Sequence, residues 1–224
     1  MYSDIKKYVA IEDVFVCPNG IPPSAILYPQ NRRNEIPRIL FLSNMIASKG
    51  VWTLVEACAI LKKRNVAFKC DFVGKWGDVT EHDFKRAISE RGLDEDVYAF
   101  GARYGEEKVG FLGQADIFAF PTYYDNECFP IVLLEAMEYG LPCISTTEGA
   151  IRGIIDDGKT GYIVEKKDAV ALADKIAFLI DHPDTRKEMG ENGRKKFKEQ
   201  FTLSIFENRM KEILLTVCEG KDDK

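Results

Sequence analysis

Short apolar runs alternate with helix-patterned stretches from residue 36 to residue 181, and no other feature constrains the fold as much. IPRILFLSN (36–44), VAFKCDFVG (66–74), VYAFG (97–101), ADIFAFP (115–121), LPCIST (141–146) and GYIV (161–164) read as strands. GVWTLVEACAILKKRN (50–65) is an amphipathic helix, with Val51, Leu54, Val55, Cys58 and Leu61 on one face. Further helices are expected at 80–91, at EEKVGFLGQ (106–114) and at IVLLEAMEYG (131–140), the last ending at a C-cap glycine. Helices at 168–181, 184–199 and 202–217 close the chain, broken at His182-Pro183 and Phe201-Thr202.

Strands that are apolar almost throughout belong to a parallel sheet covered on both faces. The expected fold class is therefore α/β, a Rossmann-like doubly wound parallel sheet. Such sheets take ligands at the carboxyl ends of their strands, beside the switch point. That places the site in the loops after residues 43, 74, 101, 121 and 146. The expected organisation is a linker over 1–35, which contains the turn-rich PNGIPP, a sheet domain over 36–201, and a helix with a polar tail over 202–224.

Composition removes several classes of function. Hydrophobic residues are 46% of the chain, charged residues 30%, and the net charge is -5 with the signs interspersed. Neither a nucleic-acid footprint nor a basic membrane patch is present. No apolar run approaches the ~20 residues that span a bilayer, and MYSDIKKYVAIED lacks the apolar centre of a signal peptide. Cys17, Cys58, Cys70, Cys128, Cys143 and Cys218 are scattered, without metal-ligand spacing, and read as reduced thiols of a cytoplasmic protein.

Two segments carry chemistry. In PTYYDNECFPIVLLEAMEYGLPCIS, Glu127 lies in the loop after a strand, and Glu135 lies in a helix that is otherwise almost wholly apolar. A carboxylate in such surroundings is costly unless it is paired or meets a ligand. The helix starts near Pro130, and none of residues 127–129 is a capping Ser, Thr, Asp or Asn. An uncapped helix start at the end of a parallel strand is an anion site. The competing reading has Glu127 complementing the helix dipole and Glu135 paired with a lysine. In FLSNMIASKGVWTLVEA, Lys49 sits between a strand and a helix, where it can reach a phosphate at the sheet edge.

Together these segments resemble family 4 of the retaining glycosyltransferases of GT-B fold. The family's strand-to-helix pattern, an Arg followed by K-G, corresponds to Asn44 through Lys49-Gly50, and its E-x-F-G/P-x-x-x-x-E to ECFPIVLLE, Glu127 to Glu135. EAMEYGLPCIST and DGKTGYIV (157–164) match its later motifs, and CPNGIP its interdomain connector. The resemblance implies a metal-independent donor domain for a nucleotide-diphosphate sugar. In it Glu127 holds the sugar hydroxyls, Glu135 the ribose and Lys49 the diphosphate, helped by the amides of Phe129, Ile131 and Val132. Lys49 and Glu127 would carry the chemistry, and Ala102 and Arg103 would lie against the base. It also implies that an N-terminal acceptor-binding domain, with the usual catalytic His or Asp, is absent from this chain. Any membrane contact would come through that domain. His82 and His182 read as surface residues.

Asn44 departs from the pattern, removing a phosphate-facing charge for which Arg103 or Arg152 is a candidate substitute. In EGAIRG (148–153), Gly149 keeps a close backbone approach, but Arg152 and Gly153 replace the family's Pro and acid. Asp94 and Asp96 form a D-x-D in a polar turn on the wrong edge, and no metal site is expected there. A dinucleotide dehydrogenase would need G-x-G-x-x-G, whereas SNMIASKG has only Gly50. A GT-B epimerase is disfavoured by ECFPIVLLE. The standing alternative is a non-catalytic nucleotide-sugar-binding module, or a half-enzyme that needs a separate acceptor-binding partner. In the last helix Phe206, Met210, Ile213, Leu214 and Val217 form a face expected to stay partly exposed.

Overall fold

Each of the six apolar runs forms a strand, and each strand is shorter than its run. The structure is a computed structural model that describes residues 6–24 and 34–219. In chain order it contains β1 (Arg38–Leu42), α1 (Val51–Lys63), β2 (Lys69–Val73), α2 (Glu81–Glu90), β3 (Val97–Ala99), α3 (Gly105–Gln114) and β4 (Ile117–Phe120). There follow α4 (Ile131–Glu138), β5 (Cys143–Ser145), α5 (Ile151–Ile154), β6 (Gly161–Ile163), α6 (Ala169–Asp181), α7 (Pro183–Gln200) and α8 (Leu203–Glu219). Prolines account for part of the shortening. Pro37 and Pro142 immediately precede β1 and β5, and Pro121 follows β4. None can donate a ladder hydrogen bond. The freed ends of the runs become the loops at the sheet edge.

The sheet is wholly parallel, in the order β3-β2-β1-β4-β5-β6. The chain therefore winds outward one way through β2 and β3, then restarts beside β1 and winds the other way. The loops after β1 and β4 consequently part to opposite faces and leave the switch crevice between them. Phe41, Phe72, Phe118 and Ile117 are fully buried in the strands, and helices cover both faces. α1 packs on α6, and α4 packs on α7. The rings of Phe41 and Phe72 lie 5.2 Å apart across the β1–β2 ladder, and Phe84 of α2 meets Phe72 edge-on at 5.0 Å.

Residues 6–24 meet the domain at the α7–α8 junction and at the end of α4. Ile21 donates its amide to Phe201 O at 2.9 Å and accepts from the Leu203 amide at 2.8 Å, at the α7–α8 junction. Close by in sequence, the Ser24 amide donates to the Glu138 carboxylate at the end of α4. Of the linker expected over 1–35 and the tail expected over 202–224, residues 1–5, 25–33 and 220–224 lie outside the described residues. Leu214 and Val217 of α8 are exposed, as expected of that face, and so is Leu215.

Candidate functional site

The two loops that border the crevice are fastened to each other. After β1, a 3-10 turn over Ala47–Lys49 ends at Gly50, whose φ of 91° only glycine adopts easily. A Cβ there would stand 2.2 Å from the Pro121 carbonyl oxygen, so the β1–α1 loop lies directly on the end of β4. The Tyr123 amide donates to Ser48 O at 2.7 Å. This contact brings Lys49 to the β4–α4 loop, with its Nζ 2.7 Å from Glu127 Oε2 and side chains 16% and 9% exposed. Tyr124 lies beneath the ammonium, its ring centroid at 4.2 Å. Thr122 Oγ1 stands 3.4 Å from the same carboxylate oxygen.

A third loop supports Glu127 from behind. The Ala150 amide donates to Cys128 O at 2.8 Å, and Gly149, at φ 52°, lies flat against the Glu127 backbone. The close approach expected at Gly149 is thus made to Glu127 itself. Glu148 pairs with Lys166 from the loop after β6.

Beside this pair an open cavity of about 340 Å³ runs along the ends of β1, β2 and β3 to the start of α4. Asn44, Ala102, Arg103, Ile131, Val132 and Glu135 all line it. α4 starts uncapped after Pro130. The amides of Phe129, Ile131 and Val132 make no hydrogen bond among the described residues. Those amides and the helix dipole favour an anion. Glu135 is held by a lysine, as the competing reading required: Lys108 Nζ lies 2.6 Å from Glu135 Oε1. Burial pushes the Glu138 carboxyl, one turn on, above its ordinary range, and nearby Glu135 adds to the rise.

The structure does not bring every expected residue into this cavity. Lys49 and Glu127 form their own pair in the bordering loops and are not part of its lining. The Phe129 ring packs away, 6.0 Å from the ring of Phe201. Of the two arginines considered as substitutes for the charge missing at Asn44, Arg103 lines the cavity and Arg152 does not. Arg152 is exposed on α5, because Ile151 and Ile154 on either side of it are fully buried and turn it outward. Arg103 donates to the Ala102 carbonyl at 3.0 Å and stands 3.9 Å from Glu107. Asp96 of the D-x-D sits before β3, 2.8 Å from Lys62 and 3.7 Å from Lys69. All six cysteines are free thiols, and burial pushes those of Cys70 and Cys143 well up.

Sequence reasoning missed Lys75 and Lys108, both of which line the cavity. One available signal was that α3 follows β3 closely, so that Lys108, in its first turn, lies near the carboxyl edge of the sheet.

Fold and crevice define a Rossmann-like α/β domain with cations and free amides gathered at its switch point. The sequence profile of the group 1 glycosyl transferases matches residues 27–196, and the chain belongs to that family. It is similar to AmsK, an amylovoran biosynthesis glycosyltransferase of Erwinia amylovora, at 30% identity over 208 residues, which are 91% of this chain and 51% of AmsK. The chain spans about half the length of the curated relatives it matches. Among solved structures, HepE of Anabaena in complex with UDP and glucose shares the fold with a TM-score of 0.71 at 20% identity, over 79% of this chain and 47% of that one. The C-terminal domain of the group 1 protein LpcC of Francisella tularensis gives a TM-score of 0.67 at 23% identity, over 82% of this chain and 96% of that domain.

Proposed function

We propose that this chain is the donor-binding half of a retaining glycosyltransferase, which takes a nucleoside-diphosphate sugar and passes its sugar to an acceptor held by a second domain. The observation that carries the reading is the Lys49–Glu127 pair, set beside the uncapped start of α4 at the switch crevice. Breaking the bond between the anomeric carbon and the diphosphate leaves negative charge on the departing oxygen. In this reading Lys49 and the amides of Phe129, Ile131 and Val132 take up that charge, and preorganised donors of this kind lower the barrier most. These groups supply the positive charge for which other transferases use a metal. Glu127 accepts from the sugar hydroxyls and Glu135 from the ribose, while Ala102 and Arg103 border the base.

HepE, which shares this fold, was crystallised with UDP and glucose, in keeping with a nucleotide-sugar donor here. None of the described helices is long and apolar enough to cross a membrane. Calorimetry with UDP, GDP, ADP and their sugars tests the reading. Binding is expected within the ordinary range for enzyme substrates, about 1 μM to 1 mM. Absence of heat with all of them, from folded protein, overturns it. The chain on its own is expected to turn over little or no donor, and robust transfer to a simple acceptor would contradict the half-enzyme part of the reading.

A further inference from the structure

A cavity that takes both ribose and diphosphate meets an electrostatic conflict at α4. Glu135 stands on the same helix whose first amides face the anion. It accepts from both hydroxyls of a diol only while ionised, and in that state it repels a diphosphate lodged one turn away. Burial pushes the carboxyl of Glu138, one turn on, upward, and Glu135 adds to that rise.

Lys108 resolves the conflict by reaching from α3 across to α4. Its Nζ lies 2.6 Å from Glu135 Oε1, and the two side chains are 30% and 20% exposed. The other cavity cations are placed differently. Arg103 leans on Glu107 and the Ala102 carbonyl, and Lys75 makes no ion pair among the described residues. Lys108 alone of the three touches the carboxylate that the ribose needs.

We propose that Lys108 is a positioning residue that sets the specificity of the site: it neutralises Glu135 and fixes its carboxylate, so that a ribose diol and a diphosphate are bound together. This role rests on the donor-binding reading above. It predicts a preference for nucleoside diphosphates with an intact ribose, lost when Lys108 is lost. A pair that only tied α3 to α4 would affect stability and leave that preference untouched.

The test is calorimetry on wild type, Lys108→Met, Lys108→Arg and Lys108→Met/Glu135→Gln, after circular dichroism shows each to be folded. The probes are whichever of UDP, GDP or ADP wild type binds, its 2′-deoxy analogue, and inorganic pyrophosphate. Lys108→Met is expected to weaken nucleoside-diphosphate binding about tenfold, the loss appropriate to a part-exposed charge partner. Its ribose to 2′-deoxyribose ratio should fall close to one. Lys108→Arg should restore both, and the double variant should recover pyrophosphate binding because the unpaired carboxylate is gone. If Lys108→Met does not fold, Lys108→Gln takes its place. Unchanged affinity and an unchanged ribose ratio in the folded variant overturn the role of Lys108 while leaving the donor reading intact. Failure of wild type to bind any of the diphosphates overturns both.

Discussion

The carbonyl oxygen of Glu127 fills the space that a side chain at Gly149 would need, 1.9 Å from where its Cβ would stand. Two penalties therefore meet at one residue: a φ of 52° that disfavours any side chain, and a clash with backbone, which cannot swing aside as a side-chain end can. Gly149→Ala should cost about 1–3 kcal/mol of stability, the usual range for local strain of this kind. Its larger effect should be to move the Glu127 loop. Affinity for a nucleoside diphosphate, to which Lys49 and the α4 amides contribute beside that loop, should fall less than the contribution of the sugar. The additional affinity gained from the sugar should disappear. Paired titrations with a diphosphate and its sugar measure this, and an intact sugar contribution would show that the loop tolerates the methyl group.

Lys49 and Glu127 should separate in the same assay. Lys49→Ala removes a cation and leaves a largely buried carboxylate unpaired. Both effects oppose a diphosphate, and affinity should fall by about tenfold or more. Glu127→Gln keeps the shape of the side chain but releases Lys49, so diphosphate binding should hold or tighten while the sugar's contribution is lost. In an enzyme that contains the acceptor side, Glu127→Ala should lower kcat by orders of magnitude and the melting temperature by a few degrees. Equal losses of activity and stability would assign the pair a structural role only.

The strands and helices were legible because burial on both faces forces near-continuous apolar runs, and because the helix starts and stops carry their own signals. Glu135 was legible for the opposite reason, as a charge among Ile131, Val132, Leu133 and Leu134 with nothing nearby in sequence to pair with. Lys108 was not, since its partner lies 27 residues further on and the two meet only once α3 and α4 are placed at one edge. Arg152 stays away from the cavity for a local reason: EGAIRG coils into α5, and Ile151 and Ile154 claim the inner face. Gly149 was recognised as a close approach, while what it approaches needed the fold.

An ion pair between Arg38 and Asp71 ties β1 to β2. Asp71 is buried in β2, and both its oxygens accept from the Arg38 guanidinium of β1, at 3.0–3.2 Å, with side chains 7% and 31% exposed. Burial still outweighs the arginine, and the Asp71 carboxyl titrates above its ordinary value of 3.8. The sign follows from proton binding. Between pH 3.8 and the raised value the folded state holds more protons than the unfolded state, so stability falls as pH rises through that window and is level above it. Asp71→Asn, which removes the charge but keeps an acceptor for Arg38, should therefore cost less than about 1 kcal/mol at pH 7. Arg38→Met removes the compensation and strands the carboxylate, and should cost about 2–3 kcal/mol at pH 7. Because it raises the folded-state value further, its cost should shrink toward pH 4, where the carboxyl is protonated in the variant. Urea unfolding at pH 7 and pH 4 measures the difference, and an equal cost at both would mean that Asp71 does not titrate in that window.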